Sequence, residues 1–302
     1  MAALAYTSGT AHPVSPVPLH ACDCHIHVYD ARFPAVPGAT LLPPDASVEQ
    51  YRALQARLGT SRAVLVTPST YGTDNHSMLA GLAAMGDQAR GVAVIDGNES
   101  DSALQALHHA GVRGIRLNLS RGVVGHIDQI APIASRIAQW NWHLQLLMPP
   151  DQLALQAEIL TRLPVQIVFD HMARLQPGQA FNHPAHALVL RLLREGRAWV
   201  KLSGGYIVSG SGRTDDPAID PLARSYIHAA PDRVLWGSDW PHATASAGLH
   251  PMPDDAQQID RLAHWAQDNE VFRQILVRNP EQLYGFTSHT SLPSFANLQE
   301  TS

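Results

Sequence analysis

Eight short apolar runs, each followed by a longer amphipathic stretch, dominate this chain. The runs cover residues 19–25, 62–67, 91–95, 113–118, 143–148, 165–170, 198–203 and 233–238. They are rich in Val, Ile and Leu and almost uninterrupted by polar residues, the pattern of strands covered on both faces in a parallel sheet. The stretches between them carry helix signals. Ser47-Val48-Glu49-Gln50 has capping-box spacing, helices are expected over about 76–86, 101–110, 127–140, 151–162, 184–195, 217–229 and 255–269, and Gly59, Gly111 and Gly196 stand where helices close. Pro150 and Pro217 stand where two helices open. Eight β/α units within about 270 residues predict an α/β chain folded as a single-domain (β/α)8 TIM barrel. A doubly wound open sheet is less suitable, because no G-x-G-x-x-G follows the first run.

The barrel is expected over 19–287, with a loose arm at 1–18 and a tail at 288–302. The chain has 302 residues, 45% apolar and only 16% charged, which is ample for a large core. A net charge of −5 argues against nucleic-acid binding. No stretch approaches 18 uninterrupted apolar residues, so no membrane span is expected. The only cysteines, Cys22 and Cys24, suit no ordinary disulfide, and together with the lack of a signal peptide they point to a cytoplasmic location. Large barrels often self-associate, so the oligomeric state stays open, a homo-oligomer included.

Barrel enzymes carry their chemistry at the C-terminal ends of the strands. His25 and His27 end the first run, and in a strand residues i and i+2 share a face. Ser69 and Tyr71 follow the second run, Arg116, Asn118 and Arg121 the fourth, and Asp170, His171 and Arg174 the sixth. Lys201, Ser203 and Tyr206 belong to the seventh, and Asp239 and His242 to the eighth. Each residue has a bland alternative. Lys201, between Val200 and Leu202, can equally face outward, and His242 can face solvent. An apolar scaffold that ends six times in ionisable or hydroxylic groups is nevertheless poorly explained by packing.

Three segments carry a resemblance. Asp23-Cys24-His25-Ile26-His27, Phe169-Asp170-His171 and Leu235-Trp236-Gly237-Ser238-Asp239-Trp240-Pro241-His242 are similar, in this order, to the motifs of the amidohydrolase superfamily. Tyr71-Gly72-Thr73-Asp74-Asn75, Gly114-Ile115-Arg116-Leu117-Asn118, Asp170-His171-Met172-Ala173-Arg174, Val200-Lys201-Leu202-Ser203-Gly204 and the ending Asn279–Phe286 resemble its branch of 2-pyrone-4,6-dicarboxylate lactonase and related sugar-lactone and muconolactone enzymes. That resemblance implies hydrolysis of a lactone bearing a carboxylate, with no metal required. His25, His27, His171 and Asp239 still offer enough donors for one zinc. Two metals are not expected, since Ile115-Arg116-Leu117 lacks the bridging lysine of binuclear members.

Asp239 is expected as general base, with its pKa tuned by burial toward the working range, and His25, His27 and His171 as polarisers of the lactone carbonyl. Arg116, Arg121 and Arg174 are expected to hold the carboxylate, with Ser69, Tyr71, Tyr206 and His242 adding contacts. The dicarboxylate lactonase is expected to have a Tyr near the end of the fifth strand and an Arg after the seventh. Here Gln145–Met148 and Tyr206–Val208 have neither, which argues for a substrate with fewer carboxylates. The alternatives are a lactone isomerase on the same scaffold, a mononuclear zinc hydrolase or decarboxylase, and a non-catalytic sensor of an acidic metabolite.

Overall fold

The computed structural model describes residues 3–120 and 125–287. All eight expected strands form. They are β1 (Cys22–Ile26), β2 (Arg62–Val66), β3 (Ala89–Ala93), β4 (Val112–Asn118), β5 (His143–Leu147), β6 (Ile167–Phe169), β7 (Ala198–Leu202) and β8 (Val234–Trp236). They pair in parallel in sequence order from β1 to β8. The ends of the sheet meet through a parallel bridge between Ile26 and Trp240. Helices alternate with the strands around the outside, so the chain is a (β/α)8 barrel.

The helix signals act as expected at most boundaries. Ser47 Oγ accepts from the Gln50 amide at 3.3 Å while Gln50 Oε1 accepts from the Ser47 amide at 2.9 Å, completing the capping box. Gly59 ends that helix at φ 80°, where a side chain would be strained. Pro150 opens its helix, but Pro217 does not, because the helix there begins at Ile219.

Alternation along the strands sorts the barrel interior into a plug and a polar layer. Cys22, Val64, Val92, Val168, Trp199 and Leu235 pack with Tyr284 and Phe286 into an apolar cluster. Both cysteines are free and buried. Polar residues lie two positions further along their strands, at Gln145 beyond His143 on β5 and at Lys201 beyond Trp199 on β7. Gly114 gives the close approach this needs, since a Cβ there would stand 2.3 Å from the His143 ring.

The described part of the N-terminal arm makes hydrogen bonds to the barrel's helices. Arg57 donates to the carbonyls of Ser8 and Gly9, and Asp260 accepts from the amides of Val14 and Ser15. The tail at 288–302 lies outside the described residues. Among the described residues, no helix is long and apolar enough to cross a membrane.

Candidate active site

β1 and the residue that follows it deliver His25 and His27 to the barrel mouth, where both are buried. The imidazole of His27 is oriented from behind, with Nδ1 2.7 Å from the Val66 carbonyl oxygen. A carbonyl can only accept, so Nδ1 carries the proton and Nε2 carries a lone pair. His171 follows β6 at φ 47°, the first of four consecutive residues with left-handed backbone, and its Nδ1 is 2.9 Å from Ser203 Oγ. Asp239 follows β8 and also has positive φ, at 69°. Such backbone costs a non-glycine residue about 1–2 kcal/mol, and two instances at strand ends mark a constrained site.

The four expected side chains meet. Asp239 Oδ1 is 3.6 Å from His25 Nε2, 3.7 Å from His27 Nε2 and 3.9 Å from His171 Nε2. The Tyr206 hydroxyl donates to Asp239 Oδ2. Burial holds all three imidazoles below the ordinary histidine value, His27 at about 4. For Asp239, burial pushes upward, but His171, His25, His27 and the Tyr206 hydroxyl outweigh it and hold the carboxyl below its usual value. The expected upward tuning is therefore corrected: Asp239 is ionised throughout the neutral range.

Beneath this cluster lies a second polar layer. Arg116 Nε and Gln145 Nε2 both donate to Asp170 Oδ2 at 3.0 Å. Lys201 Nζ donates to Gln145 Oε1 at 2.7 Å and stands 3.2 Å from His25 Nδ1. Lys201 is thus fully buried inside the barrel, not outward-facing. Burial lowers its pKa, with Asp170 opposing. For Asp170 burial opposes ionisation, and His25, Arg116 and Lys201 outweigh it, leaving its pKa well below the ordinary carboxylate range.

The cavity above these layers is lined by His27, Ser69, Arg116, Asn118, His171 and Asp239 on its polar side. Tyr29, Leu41, Leu147, Ile207 and Ala243 form apolar wall. Ser69 Oγ is held by Asn118 Nδ2 at 2.7 Å. Residues 39–41 roof the cavity, and Thr70 Oγ1 anchors them through the Leu41 carbonyl at 2.8 Å.

Several expected contact residues serve elsewhere. The Tyr71 hydroxyl is spent on the main chain of Asp30, accepting from its amide at 2.9 Å and donating to its carbonyl at 3.2 Å. His242 is buried, not solvent-facing. Its Nε2 lies 3.1 Å from the Asp255 carboxylate, and its ring packs edge-on to Tyr206. That carboxylate raises the pKa of His242 against the burial that lowers it. Tyr206 touches Asp239 but does not line the cavity. Arg174 lines an adjoining cleft with Asp151 and His183. Arg121 lies outside the described residues. Gln145 was missed by sequence reasoning, although its position two residues beyond His143 on one strand is a usable signal.

By position, the cluster can hold a metal ion, since His25, His27 and Asp239 bring ligand atoms within 4.8 Å of one another. The protonation pattern fits less well. His27 presents a bare Nε2, whereas the other nitrogen of His25 faces Lys201 Nζ. No reaction step is therefore assigned to a metal.

Known proteins share this architecture and sequence. The chain is 36% identical over 290 residues to a 2-pyrone-4,6-dicarboxylate hydrolase of Comamonas testosteroni, covering 91% of this chain and 94% of the relative. It is 31% identical to a D-galactarolactone isomerase of Agrobacterium fabrum, covering 92% and 94%. The crystal structure of an apo protein from Agrobacterium tumefaciens superposes with a TM-score of 0.83 at 29% identity, covering 91% of this chain and 99% of that one. Residues 22–286 match the amidohydrolase family over nearly the whole barrel, and to that family the chain belongs.

Proposed function

We propose that the protein hydrolyses a lactone carrying a carboxylate, with Asp239 as the general base. The observation that carries this reading is the convergence of three imidazole Nε2 atoms on one ionised carboxylate oxygen, at 3.6–3.9 Å, in a cavity that Arg116 also lines. The relative named as a 2-pyrone-4,6-dicarboxylate hydrolase supports it.

In the proposed step, water attacks the lactone carbonyl carbon and gives a proton to Asp239. The lone pair on His27 Nε2 helps orient that water. This revises the expectation that His27 polarises the carbonyl, because a neutral imidazole whose proton is on Nδ1 has no donor at Nε2. An N–H at His25, and at His171 when Ser203 donates to its Nδ1, stabilises the oxyanion. Collapse of the tetrahedral intermediate breaks the bond from carbonyl carbon to ring oxygen. The ring oxygen takes the proton from Asp239, and the product is an open-chain hydroxy acid. Arg116 pairs with the substrate carboxylate.

The test is a panel of lactones with and without carboxylate substituents, followed by acid release and product NMR. Acid release is expected to be markedly faster from carboxylated lactones than from their unsubstituted counterparts. Tight binding with no acid from any lactone would favour the sensor. A second reading, lactone isomerisation, is favoured by the isomerase relative. There a substrate hydroxyl replaces water, and the product is another lactone.

A further inference from the structure

We propose that Lys201 is a positioning residue that fixes the proton of His25 on Nε2, and so keeps the His25–His27–His171–Asp239 cluster a hydrogen-bonding site instead of a metal site.

Donors and acceptors are fixed one after another outward from Asp170. An ionised carboxylate only accepts. Gln145 Nε2 donates to Asp170 Oδ2 at 3.0 Å, which orients the amide and turns Oε1 toward Lys201 Nζ, 2.7 Å away. Oε1 requires a donor, and an ammonium has nothing but donors. A second N–H of Lys201 meets His25 Nδ1 at 3.2 Å, and a third faces Asp170 Oδ1 at 3.7 Å. A ring nitrogen that accepts carries no proton, so neutral His25 is protonated at Nε2. That Nε2 is buried without a hydrogen-bond partner, 3.6 Å from Asp239 Oδ1. It is an N–H aimed at the reacting centre, where a metal would require a lone pair.

The alternative arrangement is built in but displaced. A metal-bound imidazole ordinarily donates its other N–H to a carboxylate or carbonyl. His27 meets that requirement through Val66. For His25 the matching carboxylate is present, since Asp170 Oδ1 lies 3.3 Å from Nδ1, in the same distance range as Lys201 Nζ but outside aligned hydrogen-bond geometry. Lys201 holds the ring nitrogen in its place. Replacing Lys201 by a chain without donors would hand Nδ1 to Asp170 and turn the lone pair of Nε2 toward His27 and Asp239.

Two measurements on the full chain test this without lactone turnover. They therefore stand or fall separately from the proposed reaction. Long-range ¹⁵N NMR of histidine-labelled protein, with the His25 signals assigned by their loss in His25→Gln, is expected to show the Nε2–H tautomer. Calorimetric zinc titration and metal analysis are expected to find no stoichiometric zinc on the wild type. Lys201→Met is expected to take up one zinc per chain, binding it about ten- to a hundredfold more tightly than the wild type. An Nδ1–H tautomer in the wild type, or equal zinc affinity in the two proteins, would overturn the proposal. If Lys201→Met does not fold, the wild-type spectrum alone decides.

Discussion

The main-chain amide of Asp239 donates to the carbonyl of His25 at 2.9 Å. The next bond of that ladder runs from the His27 amide to the Trp240 carbonyl, at 2.8 Å. The contact that joins the last strand to the first therefore also seats the carboxylate against the paired imidazoles. Residues more than two hundred positions apart are held by backbone, so a side chain can be changed there without dismantling the site.

Asp239→Asn is the sharpest such change. The amide keeps an oxygen for the Tyr206 hydroxyl and leaves the backbone bond to His25 intact, but it accepts no proton. Turnover is expected to fall by two to four orders of magnitude, about 3–5 kcal/mol of transition-state stabilisation. Steady-state kinetics check this, with circular dichroism and melting temperature expected to be unchanged.

The pH profile reports the same carboxylate. The proposed mechanism requires Asp239 ionised and His27 neutral. Asp239 is held below its usual range and His27 titrates at about 4, so activity should persist on acidification and fall only as the pH drops through about 4. A histidine in water would impose its limb near 6.5 instead. Tyr206 donates to Asp239 and favours its ionised form. Tyr206→Phe should raise the Asp239 pKa and move the acid limb toward neutral pH, as a kcat/KM profile would show.

Arg116→Lys keeps the positive charge but loses the planar fork and the Nε bond to Asp170. For a carboxylated lactone, kcat/KM should fall about ten- to a hundredfold, mainly through KM. For the matched lactone without the carboxylate, the two proteins should differ little. Initial rates on the pair of substrates check this.

Gly204 follows β7 at φ 57°, and a Cβ there would stand 2.6 Å from His171 Nδ1. Gly204→Ala should displace His171 from Ser203 and add backbone strain. Stability should fall by about 1–2 kcal/mol and kcat by about tenfold. Gly178→Ala, where a Cβ meets nothing within 4 Å, should change neither. Urea unfolding and kinetics on both variants separate the effects.

The strands and the histidine–aspartate cluster were legible in the sequence because one physical constraint wrote both. A strand buried on both faces must be continuously apolar, so the first polar residue after it marks the barrel rim. Boundaries drifted where the hydrogen-bonded span is shorter than the apolar run, as at Ile167–Phe169 within 165–170. Lys201 was ambiguous because period-two alternation does not say which side of a barrel wall is polar. Its true direction depends on Gln145 and Asp170, which come from other strands. The engagement of Tyr71 and His242 was hidden for the same reason. Their partners, Asp30 and Asp255, lie 41 and 13 residues away, and only the fold reveals that these polar groups are already committed.

The fate of water oxygen tests the account most directly. A carboxylated lactone found active in the panel is turned over in H₂¹⁸O, and the product is examined by mass spectrometry after a single turnover. Incorporation of one ¹⁸O into the newly formed carboxylate of an open-chain acid is expected, and Asp239→Asn should abolish it. A lactone product without ¹⁸O, or undiminished incorporation by Asp239→Asn, would contradict the hydrolysis described here.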